Sequence, residues 1–335
     1  MNTNSEAQRV TVTHMVEFWP RFLLFPILAV ALYPPFVMGW GGDGWFVRSV
    51  WVIFLTFCWF CLGGSFHESV HQTLFKHSFL NVIFGRFLGI LILIPYSVYR
   101  ETHRRHHVAL NTVGDYELWP YSDPRASLTF RRAFVWIDLV GGVFTAPYIY
   151  GRIYFLRDPR LSPEVRRTIF LEYVSILVAW LAFGIVLVAW TSQIGFDWRQ
   201  FDPVWLLPLI LSPMVNTGRK FVEHLGLVSV DPIRGTRTVV ASNPLTRITS
   251  YFNFDIAVHG AHHRSPKTRH NELTSRMLAY QQEHPELAIL LFGSYLAAIV
   301  DMAPCLWRCP STGDPLASSS ESGESSESID WEQVN

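Results

Sequence analysis

Long stretches without a charged residue alternate with polar segments along the chain. Four of these stretches approach or exceed the roughly 20 apolar helical residues that a bilayer core requires. They cover residues 22–42, 49–66, 173–196 and 203–218. The last is the shortest, but an even number of spans is needed if both ends of the chain are to lie on one side. The pattern therefore predicts two helical hairpins that cross a membrane.

Three shorter apolar runs accompany these hairpins. They cover residues 87–99, 139–151 and 287–300. Each is too short for a full span and suits a helix that lies at the membrane surface or enters and leaves on one side. The last run also suits a core helix of the polar part of the protein.

Lys and Arg are distributed unevenly between the two sides that the hairpins define. The connections at residues 43–48 and 197–202 contain only Arg48 and Arg199, whereas the other 25 of the 27 basic residues fall on the opposite side with both termini. Because basic loops tend to remain inside the cell, that side is predicted to be cytoplasmic.

The polar ends of the chain suggest three parts. Residues 1–17 are predicted to be a cytoplasmic N-terminal segment, and residues 18–303 a membrane domain. Residues 304–335 are predicted to be a disordered tail, because positions 311–335 contain eight Ser and six acidic residues but no Lys or Arg.

The composition agrees with a membrane protein. Half of the 335 residues are hydrophobic and only 16% are charged, whereas about a quarter are charged in soluble domains. The formal net charge is zero, so no overall field indicates binding to nucleic acid. The sequence thus predicts an all-α integral membrane protein with four transmembrane helices in two hairpins and additional interfacial helices.

Nine of the 13 histidines lie in three motifs or just after the fourth predicted span. "HESVH" covers residues 67–71, "HRRHH" residues 103–107 and "HGAHH" residues 259–263, while His224 belongs to "FVEHLG". Residues three and four apart share one face of a helix, so each motif presents its imidazoles in one direction. Neutral imidazoles are good metal ligands, so binding of a shared cation would explain why they cluster. Nine nitrogens suit two ions with four or five ligands each, and imidazole suits iron, zinc or copper.

Other kinds of metal site fit these residues less well. "HESVH" matches the H-E-x-x-H pattern of zinc proteases with Glu68 as the base, but a protease leaves seven histidines unused and needs a carboxylate that the uncharged spans lack. A carboxylate di-iron bundle needs Glu-x-x-His on two helices, whereas only Glu68 and His71 form such a pair. A non-enzymatic metal sensor or transporter needs polar ligands along its membrane path, and the histidines instead cluster at the membrane face.

The three motifs, spaced over two hairpins, resemble those of the membrane fatty acid desaturase superfamily. "YRETHRRHH", "NTVGDYEL", "EHLGL", "RTVVASNPL" and "HGAHH" are similar to its bacterial branch, and the likeness extends over residues 66–273. The resemblance implies a cytoplasmic helical cap that holds two iron ions (Fe²⁺/Fe³⁺), with dioxygen as co-substrate. The ligands that it implies are His67, His71, His103, His106, His107, His224, His259, His262 and His263.

The resemblance also implies a reaction and partners. Such an enzyme introduces a double bond into a fatty acyl chain of a lipid. Its electrons are expected from an external ferredoxin or cytochrome, because the sequence contains no haem, iron–sulfur or flavin signature. A lipid or carotenoid hydroxylase or ketolase with the same metal centre is the alternative. "RSPKTRHNEL" follows the third motif where acyl desaturases commonly have an apolar stretch, and Gly260 and Ala261 stand where relatives often carry larger residues.

Four acidic residues lie close enough in sequence to the histidines to orient them by accepting a hydrogen bond from a ring nitrogen. These candidates are Glu68, Glu101, Glu223 and Asp255.

Overall fold

The computed structural model describes Phe18 and residues 20–197 and 201–313. This part of the chain is mostly helical and contains almost no β-strand. The first seven helices are α1 (Arg21–Ala31), α2 (Tyr33–Val37), α3 (Trp45–His71), α4 (Ser78–Ile92), α5 (Tyr96–Val108), α6 (Leu128–Val140) and α7 (Gly142–Phe155). The next seven are α8 (Pro163–Gln193), α9 (Leu207–His224), α10 (Pro244–Phe252), α11 (His259–Arg264), α12 (His270–Glu283), α13 (Tyr295–Met302) and α14 (Cys305–Arg308). Two short strands, β1 (Thr238–Val239) and β2 (Leu291–Phe292), pair in parallel.

Two helices are long and apolar enough to cross a membrane. α3 contains the second predicted span, and α8 contains most of the third. Only 11% of the most apolar part of α8 is buried inside the protein. A helix that exposes so much apolar surface is expected to contact lipid, which supports a position in the membrane.

The first and fourth predicted spans are helical, but neither is a long uninterrupted apolar helix. The first is divided into α1 and α2, because Pro34 and Pro35 cannot donate the hydrogen bonds that would continue α1. The fourth corresponds to α9, whose last two turns carry Arg219, Lys220 and Glu223. The predicted arrangement of four spans is therefore not confirmed: length and composition allow two spans, or up to four if each of two bent helix pairs is one span.

The two bent pairs coincide with two of the shorter apolar runs. α4 and α5 meet at 101° within residues 87–99, and α6 and α7 meet at 117° within residues 139–151. Each pair is either a broken span or a segment that enters and leaves on one side. The third run, residues 287–300, contains β2 and most of α13.

The bend between α4 and α5 requires close backbone contact. Leu93 adopts a positive φ of 63° at the end of α4, and a Cβ at Gly85 would lie 2.4 Å from the ring of Tyr96. Glu172 of α8 accepts hydrogen bonds from the backbone N–H and the hydroxyl of Ser97, at 2.8 and 2.9 Å. These contacts set the direction of α5, which carries the second histidine motif.

α3 is the central helix of the fold. It packs against α1, α4, α5 and α9, and its residues 60–70 are buried except for the half-exposed Gly63. Because several helices cover this half of α3, most of the first histidine motif at its end is buried, while His71 is half-buried.

The disordered tail was predicted to begin at residue 304, but the structure is ordered beyond this point. Residues 304–313 are ordered: α14 packs against α6, and the backbone N–H groups of Thr312 and Gly313 donate to the carbonyl oxygens of Tyr121 and Leu227 at 2.9 and 2.8 Å. The N-terminal segment 1–17 and residues 314–335 lie outside the described residues.

The orientation of the protein can be tested at the connections that hold few basic residues. The described residues of these two connections lie at the same end of the molecule, since Arg48 pairs with Asp202. We expect Asp43→Cys and Asp197→Cys to react with a membrane-impermeant maleimide in intact cells, because positively charged loops remain inside.

The control is Glu283→Cys, at the exposed end of α12. It should react only after the cells are made permeable, and the exposed Cys309 is replaced by Ser in all variants to remove background. Labelling of Glu283→Cys in intact cells, or protection of the other two sites, would contradict the orientation.

Candidate metal centre

The three motifs and His224 meet at one end of α3. The first motif forms the last turns of α3, the second lies in α5, the third lies in α11, and His224 is the last residue of α9. All four segments are helical, as the spacing predicts. The nine histidines form two groups, and the possible ligand atoms of each group lie within 4.8 Å of one another. The first group is His67, His71, His103, His107 and His262, and the second group is His106, His224, His259 and His263.

The two groups do not correspond to the motifs. The second motif contributes His103 and His107 to the first group but His106 to the second. Successive residues of a helix point about 100° apart, so neighbouring histidines diverge toward different groups. The third motif is divided in the same way. The groups are in contact, because the ring centres of His107 and His263 are 4.2 Å apart.

The nitrogen atoms of the first group face one another. His103 Nδ1 donates to Glu117 Oε2 at 2.7 Å, which leaves a lone pair on Nε2. That Nε2 lies 2.9 Å from His71 Nε2 and 3.1 Å from His107 Nε2. A single lone pair accepts one good hydrogen bond, so it cannot satisfy both neighbours. A cation between them can, because imidazole–metal bonds of about 2.0–2.1 Å place adjacent ligand atoms ~3 Å apart.

The second group repeats this arrangement. His259 Nδ1 donates to the carbonyl oxygen of Ile256 at 3.1 Å, and its Nε2 lies 2.8 Å from His224 Nε2 and 3.0 Å from His263 Nε2. All four histidines of this group are buried. Each group therefore has the donor set and the spacing to hold one metal ion.

Burial keeps the imidazoles of the third motif in the neutral form that binds metals. It lowers the pKa of all three histidines of the third motif well below the usual range, so they are neutral at physiological pH. In the first group, His67 Nε2 and His262 Nε2 are buried without a hydrogen-bond partner among the described residues. A buried polar atom without a hydrogen-bond partner lowers the stability of the folded protein unless a ligand binds in the space that the atom faces.

Two of the four predicted acidic partners contact the histidine groups. Glu68 Oε1 lies 3.2 Å from His67 Nδ1, and its other oxygen accepts a hydrogen bond from the hydroxyl of Thr73 at 2.6 Å. Glu223 is held by Arg219 at 2.7 and 2.8 Å and has one oxygen 3.6 Å from His259 Nε2.

The other two predicted acids pair with arginines. Glu101 contacts Arg100 and Arg104 at 3.4 and 3.2 Å. Asp255 accepts a hydrogen bond from Arg247 at 2.9 Å. Although both acids lie near the motifs in sequence, their side chains point to a different face of the helix or loop and do not reach the imidazoles.

Two carboxylates that were not predicted from the sequence bind the second motif directly. His106 Nδ1 donates to Asp115 Oδ2 at 2.8 Å, and Glu117 binds His103 as described. Both acids lie in "NTVGDYEL", the loop after α5, so the available signal was a pair of acids soon after the motif. Although burial alone raises the pKa of Glu117, the adjacent His103 and His106 outweigh it and hold that pKa well below its usual range.

The contribution of Glu117 can be measured against a matched acid. We expect Glu117→Gln to weaken metal binding by about 10–100-fold, because the carboxylate fixes the tautomer and orientation of His103. Glu101→Gln is the control, since the side chains of Glu117 and Glu101 are similarly buried, at 10% and 11% exposed. Metal titration of the purified proteins measures both, and equal affinities would contradict the orienting role of Glu117.

A second test concerns His224, which belongs to no motif. We expect His224→Ala to lower the metal content of the purified protein, because water is a weaker ligand than the imidazole that it replaces. Elemental analysis should find normal metal content in His77→Ala and His284→Ala, because His77 is exposed, His284 is partly exposed and neither belongs to the two groups. His270→Ala is unsuitable as a control because His270 Nδ1 lies 3.8 Å from Glu68. Normal metal content in His224→Ala would show that the second group binds its ion with three histidines.

Comparison with known proteins shows similarity to fatty acid desaturases. The sequence profile of the fatty acid desaturase family matches residues 43–289. The chain is 26% identical over 231 residues to a fatty acid desaturase of Bacillus subtilis. It is 26% and 24% identical, over 254 and 249 residues, to proteins of Synechocystis and Nostoc that are each named sn-1 acyl-lipid omega-3 desaturase (ferredoxin).

These alignments cover 66–69% of this chain and 63–66% of the relatives, so the chain spans just under two thirds of their length. The matched part of the chain includes all nine histidines of the two groups. Because the family profile covers most of its residues, this protein belongs to the fatty acid desaturase family.

Proposed function

We propose that the protein is an oxygen-dependent lipid desaturase that holds two iron ions and introduces a double bond into a fatty acyl chain. The observation that carries this proposal is the pair of adjacent histidine groups in a chain of the fatty acid desaturase family. Five histidines would bind one ion and four the other. Iron ions held by these histidines would supply, together with dioxygen and electrons from an external donor, the oxidising power to remove hydrogen from an unactivated C–H bond.

The protein's own contribution is to orient the imidazoles and exclude water. Glu117 and Asp115 accept hydrogen bonds from the Nδ1 atoms of His103 and His106. The Nε2 atoms of these two histidines therefore keep their lone pairs, which face the other imidazoles of the two groups. Tyr150 donates to the second oxygen of Glu117 at 3.0 Å and prevents the carboxylate from rotating. This chain of contacts keeps the geometry of the site in place before a substrate arrives.

Aromatic side chains separate the first histidine group from its surroundings. Tyr99 stacks on His103 with ring centres 5.2 Å apart, and Phe66 and Tyr150 pack against Tyr99 at 4.8 and 4.9 Å. An apolar wall of this kind favours a hydrocarbon chain beside the metal ions and disfavours water. It supports a lipid as the substrate.

The contacts of Glu68 argue against a zinc protease. Its two oxygens are engaged by His67 and Thr73, so it orients a ligand instead of activating water. In addition, His67 and His71 share their group with three further histidines, which leaves no open zinc position of the kind that such a protease needs.

The electron donor is proposed to be a ferredoxin that docks on the cytoplasmic face. Two relatives carry ferredoxin in their names, and the histidine groups lie at the end of the molecule opposite the pair Arg48–Asp202. If basic loops remain inside the cell, this end faces the cytoplasm.

A hydroxylase or ketolase is the second candidate, and one observation favours it. The segment after the third motif, which departs from acyl desaturases, lies beside the first histidine group, because His270 is 3.8 Å from Glu68. Residues at this place would line the surroundings of the reacting carbon. A change in their type would therefore influence whether the carbon loses hydrogen or gains oxygen.

The two candidates differ in the mass of the product. We expect lipids from a host that expresses the protein, together with a ferredoxin and its reductase, to contain acyl chains that have lost two hydrogens. Mass spectrometry of acyl lipids and pigments measures this, with a His103→Ala variant as the inactive control. A product heavier by one oxygen, without an accompanying alkene, would contradict desaturation and favour the hydroxylase.

A further inference from the structure

Three arginines surround Tyr116, in the loop that follows the second motif. The guanidinium carbons of Arg105, Arg152 and Arg160 lie 5.9, 5.9 and 5.8 Å from the centre of the Tyr116 ring. They belong to α5, α7 and the segment before α8. Three separate parts of the chain therefore bring positive charge to one place.

This charge is only partly neutralised. Asp158 is fully engaged by Arg160, whose backbone N–H, Nε and Nη2 donate to it at 2.9, 3.1 and 2.8 Å. Arg105 Nη1 lies 3.9 Å from Asp158, which is too far for a hydrogen bond. Arg152 lies 3.8 Å above the ring of Trp119 and has no acidic partner within 4 Å among the described residues.

Arg105 is the least satisfied member of the cluster. Its side chain is 5% exposed, and both terminal nitrogens are buried without a hydrogen-bond partner among the residues that the structure describes. A buried guanidinium without hydrogen bonds is strongly unfavourable. Binding of an anion would satisfy these donors. The anion could approach from the surface, because the side chain of Arg160 is 58% exposed and Arg152 is half-buried.

Phosphate is the anion that such a cluster recognises best. The planar guanidinium donates two parallel hydrogen bonds that match the oxygens of a phosphate. The cluster also lies next to the start of α8, a candidate span at Pro163, where phospholipid headgroups would be found. Basic pockets at the cytoplasmic ends of spans bind anionic headgroups in other membrane proteins.

We propose that Arg105, Arg152 and Arg160 form a phosphate-binding site that takes the headgroup of an anionic phospholipid. The site goes beyond the desaturase function and does not depend on the metal ions. Arg105 lies between His103 and His106 on α5, so a bound headgroup would stabilise the helix that carries the second motif.

The proposal is tested by native mass spectrometry of the delipidated, full-length protein in detergent. Added dioleoylphosphatidylglycerol should bind, and Arg152→Gln and Arg160→Gln should each weaken binding about tenfold or more, because each removes a charge-assisted hydrogen bond. Arg276→Gln is the matched control. The side chains of Arg160 and Arg276 are 58% and 56% exposed, and both pair with a carboxylate.

Two further probes identify what is recognised. A galactosyl diacylglycerol, which has the same chains but no phosphate, should bind at least tenfold more weakly than phosphatidylglycerol. Inorganic phosphate alone should not displace the lipid; if it binds as tightly and displaces it, the ligand is free phosphate and the lipid assignment is wrong.

Equal binding of the galactolipid, or unchanged binding by the Arg152→Gln and Arg160→Gln variants, would overturn the phosphate site itself. Arg105→Gln tests the buried donors directly. Because Arg105 is adjacent to His106, the two variants nearer the surface decide the question if Arg105→Gln does not fold.

Discussion

The mutual approach of imidazole lone pairs is the constraint on which the rest of this structure depends. His103 Nε2 and His259 Nε2 each face two further ring nitrogens within 3.1 Å, while their Nδ1 atoms are committed to other acceptors. Lone pairs at this distance repel one another unless a proton or a cation lies between them. The protein must hold them together by packing until a metal ion makes the arrangement favourable.

The helices that carry the histidines are held by contacts far from the nitrogens themselves. The bend before α5 depends on Gly85 against Tyr96 and on Glu172 of α8, a helix whose other end is apolar and exposed. On the opposite side, Gly260 donates its N–H to Thr238 Oγ1 at 2.9 Å, and a Cβ at this position would lie 2.9 Å from the same oxygen. The absence of a side chain at Gly260 thus allows α11 to approach β1. The same contact brings His259 to the second group.

Charged residues around the site divide into two kinds by what they touch. Asp115 and Glu117 accept hydrogen bonds from imidazoles and thereby determine which nitrogen can bind a metal. The arginines of the second motif point away from the histidines: Arg104 pairs with Glu101 at 3.2 Å, and Arg105 enters the cluster around Tyr116. The second motif therefore presents its imidazoles to the two histidine groups on one face of α5 and, in our proposal, presents Arg105 to an anion on another face.

The sequence by itself determined the features that depend on local periodicity. The spacing of the motifs placed the histidines on helices, their number predicted two sets of four or five ligands, and the apolar runs identified α3 and α8. Such properties follow from helical geometry and from the length of a bilayer, neither of which needs distant contacts. By contrast, the apolar runs did not show whether a segment is a straight span, a bent pair of helices or a helix with a charged end. Bends and charged ends are stabilised by contacts with residues that lie far away in the sequence.

The tertiary structure alone decided how the site is assembled. Whether His106 joins His103 or His224 depends on the crossing of α3, α5, α9 and α11, which lie far apart in the chain. The same crossing brought Asp115 and Glu117 to the imidazoles and turned Glu101 and Asp255 toward arginines. The physical reason is that a hydrogen bond requires its two atoms within about 3 Å in a given direction. Sequence spacing limits where a side chain can reach, but only the packing of distant helices determines what it meets there.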